Sequence, residues 1–159
     1  MKKFLSFLLL AALTVTVSAQ SGRDIYNKYS DEDGVTAVYI SKSMFKLMGK
    51  LPSVDEDVNL SELVKSLEGF YLIEAGNNAG ITQSLRNDVD KYVKSADYEM
   101  LMEAKDDGET VRVFIISKDD EVSGFVMLIV NAEECVFICL DGSMSRKALE
   151  DALASAQSE

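Results

Sequence analysis

Apolar positions along the chain change their period near its middle. In the first half they recur mostly at helical spacing, and in the second they form runs between short polar turns. Arg23 to Tyr29 reads as a short helix with Ile25, Tyr26 and Tyr29 on one side. Ser30-Asp31-Glu32-Asp33-Gly34 breaks it, and Val35 to Ser41, rich in β-branched and aromatic residues, predicts a first strand. Ser41 or Ser43 can cap a helix through Met44, Phe45, Leu47, Met48 and Leu51, which Pro52 ends. Asn59-Leu60-Ser61-Glu62 places Glu three residues after a capping residue and predicts a helix through Leu63, Val64 and Leu67. Gly69 to Glu74 is a second strand, and Ala75-Gly76-Asn77-Asn78 a turn. Ile81, Leu85, Val89, Tyr92 and Val93 mark an amphipathic helix whose outer face carries Arg86, Asp88, Asp90, Lys91 and Lys94.

The second half predicts strands. Tyr98 to Lys105 alternates, which places Tyr98, Met100, Met102 and Ala104 on one face and Glu99 and Glu103 on the other. Asp106-Asp107-Gly108 is a tight hairpin signal before the strand Thr110 to Ser117. Lys118-Asp119-Asp120-Glu121 turns into Val122 to Val130, and Asn131-Ala132-Glu133 turns into Glu134 to Leu140. Asp141-Gly142-Ser143 is expected to break the sheet before a last helix with Ala148, Leu149, Ala152 and Leu153 facing inward. The expected fold is α+β, a mainly antiparallel sheet with a C-terminal four-strand meander and helices packed on it. The strands from Val111 to Ile116, Phe125 to Val130 and Cys135 to Leu140 are apolar on both faces. A sheet with one wet face alternates more cleanly, so the second face is expected either under the early helices or against a partner or second copy.

The start of the chain changes the setting. Met1-Lys2-Lys3 is a positive stretch, Phe4 to Val17 is almost wholly apolar, and Val17-Ser18-Ala19 supplies small residues where a signal peptidase reads. The expectation is a signal peptide over residues 1–19, cut between Ala19 and Gln20, and one α+β domain over residues 20–159 in the periplasm or outside the cell. The apolar run is shorter than the roughly 20 residues that span a bilayer, so no membrane anchor is expected. Lipidation would need a cysteine at the new N-terminus, and the cysteines are Cys135 and Cys139.

Charge and composition narrow the chemistry. The net charge is −11, and the leader holds Lys2 and Lys3 but no acid, so the mature chain is more negative still. That balance argues against nucleic acid and against anionic membrane surfaces, and leaves protein partners, cations and neutral ligands open. There are no histidines, which removes the commonest general base, metal ligand and triad member, and no tryptophans, the usual sugar-stacking ring. Cys135 and Cys139 lie four apart in one strand, about 13 Å along it, whereas a disulfide needs Cα atoms within about 7 Å. They read as buried, reduced, small hydrophobes.

Candidate sites are weak. Asp31-Glu32-Asp33-Gly34, Asp55-Glu56-Asp57, Asp106-Asp107-Gly108-Glu109 and Asp119-Asp120-Glu121 coincide with turns and do not complete a calcium loop. Glu74, Glu99 and Glu103 are imaginable partners for carboxylate hydrolysis. Gly76-Asn77-Asn78-Ala79-Gly80 precedes a helix, so its amides could face an anion, but a cap by Asn77 or Asn78 is the simpler account. Met44, Met48, Met100 and Met102 read as core. No catalytic residue, cofactor or metal site is assigned.

Gly34 to Met48, and Tyr98 to Val113 with its Tyr98-Glu99-Met100-Leu101-Met102 and Lys105-Asp106-Asp107-Gly108-Glu109 segments, resemble an exported family of Bacteroidetes. It is catalogued as domain of unknown function four-two-five-two. The resemblance covers nearly the whole mature chain and supplies no catalytic residue. Some relatives look like lipoproteins, from which this chain departs for want of a leader cysteine. Members tend to lie near genes for extracytoplasmic-function sigma factors, which implies an envelope-stress or signalling setting. The function expected is a non-enzymatic periplasmic module that binds a protein partner or senses an envelope condition. The alternatives are a carboxylate hydrolase of envelope glycans or peptides, and a carrier of a small apolar ligand.

Overall fold

The computed structural model describes residues 21–48, 66–76, 78–147 and 150. The expected leader, Asp55-Glu56-Asp57, most of the helix expected from Asn59, and the inward-facing residues of the last helix lie outside the described residues.

The first helix, α1 (Gly22–Tyr29), starts on a reciprocal cap that the sequence reading missed. Ser21 Oγ accepts from the Asp24 amide at 3.2 Å, and the Asp24 carboxylate accepts from the Ser21 amide at 2.8 Å. Gly22 is required because a Cβ there would collide with Cys139 Sγ. Strand β1 (Val35–Ser41) has the expected bounds, and helix α2 (Lys42–Met48) begins where Ser41 Oγ accepts from the Met44 amide at 3.3 Å. Strand β2 (Leu67–Gly76) is longer than expected and includes Leu67, which the sequence pattern had put in a helix. Helix α3 (Ala79–Ser95) buries Leu85, Val89, Tyr92 and Val93, as its spacing predicts. The strands β3 (Glu99–Asp106), β4 (Glu109–Lys118), β5 (Glu121–Val130) and β6 (Glu134–Ser145) complete the chain's described elements.

The strands form a six-stranded sheet in the order β1-β2-β6-β5-β4-β3, and every pairing is antiparallel. Helix α3 carries the chain from β2 to the far edge. The meander β3-β4-β5-β6 then returns, and β6 closes the sheet beside β2. Among the described residues the edges are therefore β1 and β3. Among the described residues no helix is long and apolar enough to cross a membrane.

Two cores lie on opposite faces of the sheet. On one, Ile25, Tyr29, Leu85, Val89, Tyr92 and Val93 of α1 and α3 pack on Ile73, Val126, Leu128, Cys135, Phe137 and Cys139. On the other, Phe45 of α2 joins Leu67, Val113, Ile115, Val122, Phe125 and Met144, with Ile40, Phe70, Met127 and Leu140 half-buried beside them. Each fully buried Ile or Phe contributes about 1.5–3 kcal/mol relative to exposure. The doubly apolar strands thus serve two clusters, and of the early helices α1 lies with α3 while α2 reaches the second face.

Two local expectations are corrected. Asp141-Gly142-Ser143 does not break the sheet. Gly142 has φ +135°, and β6 bends there while still pairing with Leu67 on one side and carrying Met144 opposite Val122 on the other. Nor do Met100 and Met102 share a face. A register shift sets Met100 opposite Phe114 but Met102 opposite Val113, and neighbouring residues of a strand point to opposite sides.

Candidate functional site

Four regions concentrate the chain's unusual chemistry. The first is a polar seam inside the helical face. Tyr92 of α3 and Tyr98, just before β3, bring their hydroxyls to 3.0 Å. Cys139 Sγ lies 4.0 Å from the Tyr92 hydroxyl and donates to Asp141 Oδ1 at 3.5 Å. Gly124 makes room for Tyr98, since a Cβ there would stand 2.7 Å from its hydroxyl. Burial pushes the Cys139 thiol well up, and the nearby Asp141 adds to the effect. Burial likewise raises Asp141, which is only partly offset by the hydrogen bond from Cys139. Both tyrosines are also raised, chiefly by burial. Burial pushes the other thiol, Cys135, up to about 12, with the positive charge of Arg86 acting against it and Asp90 and Glu134 acting with it. Nucleophiles and metal ligands are thiolates, so neither cysteine is poised for that chemistry. Both are free and buried on one face of β6, as their spacing predicted.

The second region ties α1 to α3. Asp88 accepts from the Tyr29 hydroxyl at 2.8 Å and from Lys28 Nζ at 2.5 Å. Burial works to raise its carboxyl, but the bonds from Lys28 and Tyr29 outweigh that and hold it below the usual range. Asp88 is therefore half-buried between helices rather than on the outer face the helical pattern gave it.

The third region is the β3 edge. Every residue of β3 is exposed, and Met100, Leu101 and Met102 are 55%, 48% and 44% accessible. The reading of Met44, Met100 and Met102 as core is corrected, because Met44 is 49% accessible as well. Met48's side chain lies outside the described residues. An alternating pattern cannot tell an edge strand from a central one.

The fourth is a cleft where α3 leaves the ends of β4 and β5 uncovered. Two adjoining hollows of about 260 and 280 Å³ share Arg86, Val130, Asn131 and Ala132. Arg112 lines the first, with its Nε 2.8 Å from Glu103 and one terminal nitrogen 3.5 Å from Asp90.

The carboxylates singled out for hydrolysis do not converge. Glu74 sits in β2 and Glu103 in β3, four strands away, a separation of about 19 Å at the usual strand spacing. Glycosidic carboxyl pairs stand roughly 5–9.5 Å apart. Glu99 lies opposite Ile115 and Glu103 opposite Arg112, and the intervening register shift leaves Glu99 and Glu103 on opposite faces. Glu103 is also tied to Lys105 and Arg112, both at 2.8 Å, and these bonds hold its carboxyl low. The described acidic turns are exposed at Asp31-Glu32-Asp33, Asp106-Asp107 and Asp119-Asp120. Asp107 and Asp119 take positive φ of 41° and 56°, which Asp tolerates in tight turns. Among the described residues no three thiols or carboxylates gather to hold a metal. The amides after the β2–α3 turn are occupied, since Asn78 Oδ1 accepts from Gly80 and Ile81 at 3.1 and 3.2 Å.

A family model described as Domain of unknown function (DUF4252) matches residues 29–152. The chain belongs to the DUF4252 family. The match spans β1 through β6, so the whole sheet is the family's domain, and α1 lies almost entirely before it. No curated protein and no solved structure matched the chain.

Proposed function

We propose that this DUF4252 domain is a non-enzymatic binding module of the cell envelope that takes a protein partner along the edge of β3. The observation that carries this is a fully exposed edge strand bearing Met100, Leu101 and Met102. An open edge offers a row of unpaired backbone donors and acceptors to which an extended segment can add as a further strand. Methionines suit such a surface because their flexible, polarizable side chains adapt to the residue they meet. Glu99 borders the apolar trio and Glu103 is held by Lys105 and Arg112, so the occupant that fits best is a mainly apolar extended segment with a basic residue to meet Glu99. The envelope setting rests on the secretory pattern of residues 1–19. The dispersed carboxylates and protonated thiols support the non-enzymatic part of the reading.

A photo-crosslinking residue placed at Leu101, compared with one at the exposed Asn87 of α3, tests it in intact cells. The expected result is a discrete heterologous adduct from position 101 and none from position 87. An adduct between two copies of the chain, or equal labelling from both positions, would overturn the reading.

A further inference from the structure

We propose that the cleft between α3 and the β5–β6 turn is a binding site for a short aliphatic monocarboxylate, gripped by the guanidinium of Arg86. In a chain with 27 acidic residues, Arg86 is half-buried and, among the described residues, has no carboxylate within ion-pair distance. Asp90, one helical turn along, is engaged by Arg112 at 3.5 Å instead. A guanidinium presents a planar fork that matches the two oxygens of a carboxylate, and a free one beside a hollow is an unmet binding capacity.

The rest of the cleft sets the size and charge of the occupant. Its hollows of about 260 and 280 Å³ admit a small molecule, and Val130 and Ala132 give it an apolar wall. Thr110 adds a hydroxyl on the wall next to Arg112. Asn131 uses its Oδ1 to accept from the Glu133 and Glu134 amides, at 2.9 and 2.8 Å, which fixes the turn that forms one rim. Glu103 and Asp90 already neutralise much of Arg112, so the net positive charge facing the hollow is close to that of Arg86 alone. That balance favours a monoanion over a phosphate dianion. The site is independent of the β3 edge and stands or falls separately from it.

Nuclear magnetic resonance titration of the labelled protein with sodium butyrate tests the site, with butyramide, sodium chloride and inorganic phosphate as comparison probes. Saturable shifts at the amides of Thr110, Asn131 and Ala132 are expected with millimolar butyrate and not with the other three. Arg86→Gln should abolish them, and Arg86→Lys, which keeps the charge but loses the fork, should weaken binding severalfold. Three results would overturn the proposal: no saturable shift with butyrate, equal shifts with butyramide, chloride or phosphate, or shifts that persist unchanged in Arg86→Gln.

Discussion

Met100 and Met102 stand on opposite faces of the sheet edge, because β3 carries one residue more than β4 between them, and Leu101 is that residue. The bulge makes the edge apolar on both sides and, at Leu101, along its rim. It also twists the strand, which is one way an edge resists indiscriminate pairing. If the three side chains serve recognition rather than packing, replacing them should leave the domain folded. Met100→Lys and Met102→Lys are each expected to change stability by less than about 0.5 kcal/mol, as for other surface positions, while abolishing the heterologous adduct from position 101. Urea denaturation beside the crosslinking assay checks this, and a large loss of stability would mean the side chains are core after all.

The seam around Cys139 makes an opposite prediction about a carboxylate. Burial raises the Asp141 carboxyl in the folded chain above its unfolded value of about 3.9. A folded state that binds its proton more tightly gains stability as the pH falls and loses it as the pH rises through the window above 3.9. Asp141→Asn removes the charge and keeps an oxygen to accept from the Cys139 thiol. It is expected to raise the melting temperature at pH 7, with the advantage fading below about pH 4. A variant less stable than the parent at neutral pH would contradict this.

Asp88 should behave in the reverse sense. Its carboxyl is held below the unfolded value, so its contribution is present above about pH 3.9 and is lost as the pH falls through the lower folded value. Asp88→Ala is expected to cost about 1–2 kcal/mol at pH 7, mostly by leaving the part-buried Tyr29 hydroxyl without its acceptor. The Lys28 side chain is 55% exposed, so its share is small. Adding Tyr29→Phe should recover part of the loss seen in Asp88→Ala, and the penalty should shrink in acid.

Much of this architecture is legible in the sequence, and the failures have physical causes. Val35 to Ser41 is readable from its β-branched and aromatic composition, and the α3 stripe of Leu85, Val89, Tyr92 and Val93 because period and burial agree there. Asp107-Gly108 signals its hairpin because both residues take positive φ, at 41° and 85°. The bulge at Leu101 is invisible to a pattern that assumes strict alternation. Asp141-Gly142-Ser143 looks like a break because a glycine with positive φ is usually a turn, yet here it bends a strand paired on both sides. The insertion of β6 beside β2 depends on contacts far apart in sequence. Arg86 looks like any outer-face residue of an amphipathic helix, and only the uncovered ends of β4 and β5 turn its flank into a cleft wall.

Gly142 gives the sharpest test of the bent strand. A Cβ there would lie 2.5 Å from the Ser66 carbonyl oxygen and 2.8 Å from the Leu67 Cα, in a backbone conformation with φ +135°. Gly142→Ala is expected to destabilise the domain by about 2 kcal/mol or more, since strain and collision act together. A denaturation midpoint unchanged from the parent would remove the bend.

The two thiols should be silent in the native state. With burial holding both protonated, Cys135 and Cys139 are expected to react with a thiol reagent at pH 8 only after unfolding. Mass spectrometry before and after denaturation reads the number of labels directly.

Hydrogen exchange on the purified full chain, with its mass followed by light scattering, bears most directly on the open edge. In a monomer, the β3 amides that do not bond to β4 should exchange quickly, while those of the central β6 stay protected. Protection across all of β3 equal to that of β6, whether in a monomer or a dimer, would mean that the edge is already covered and is not the partner's seat.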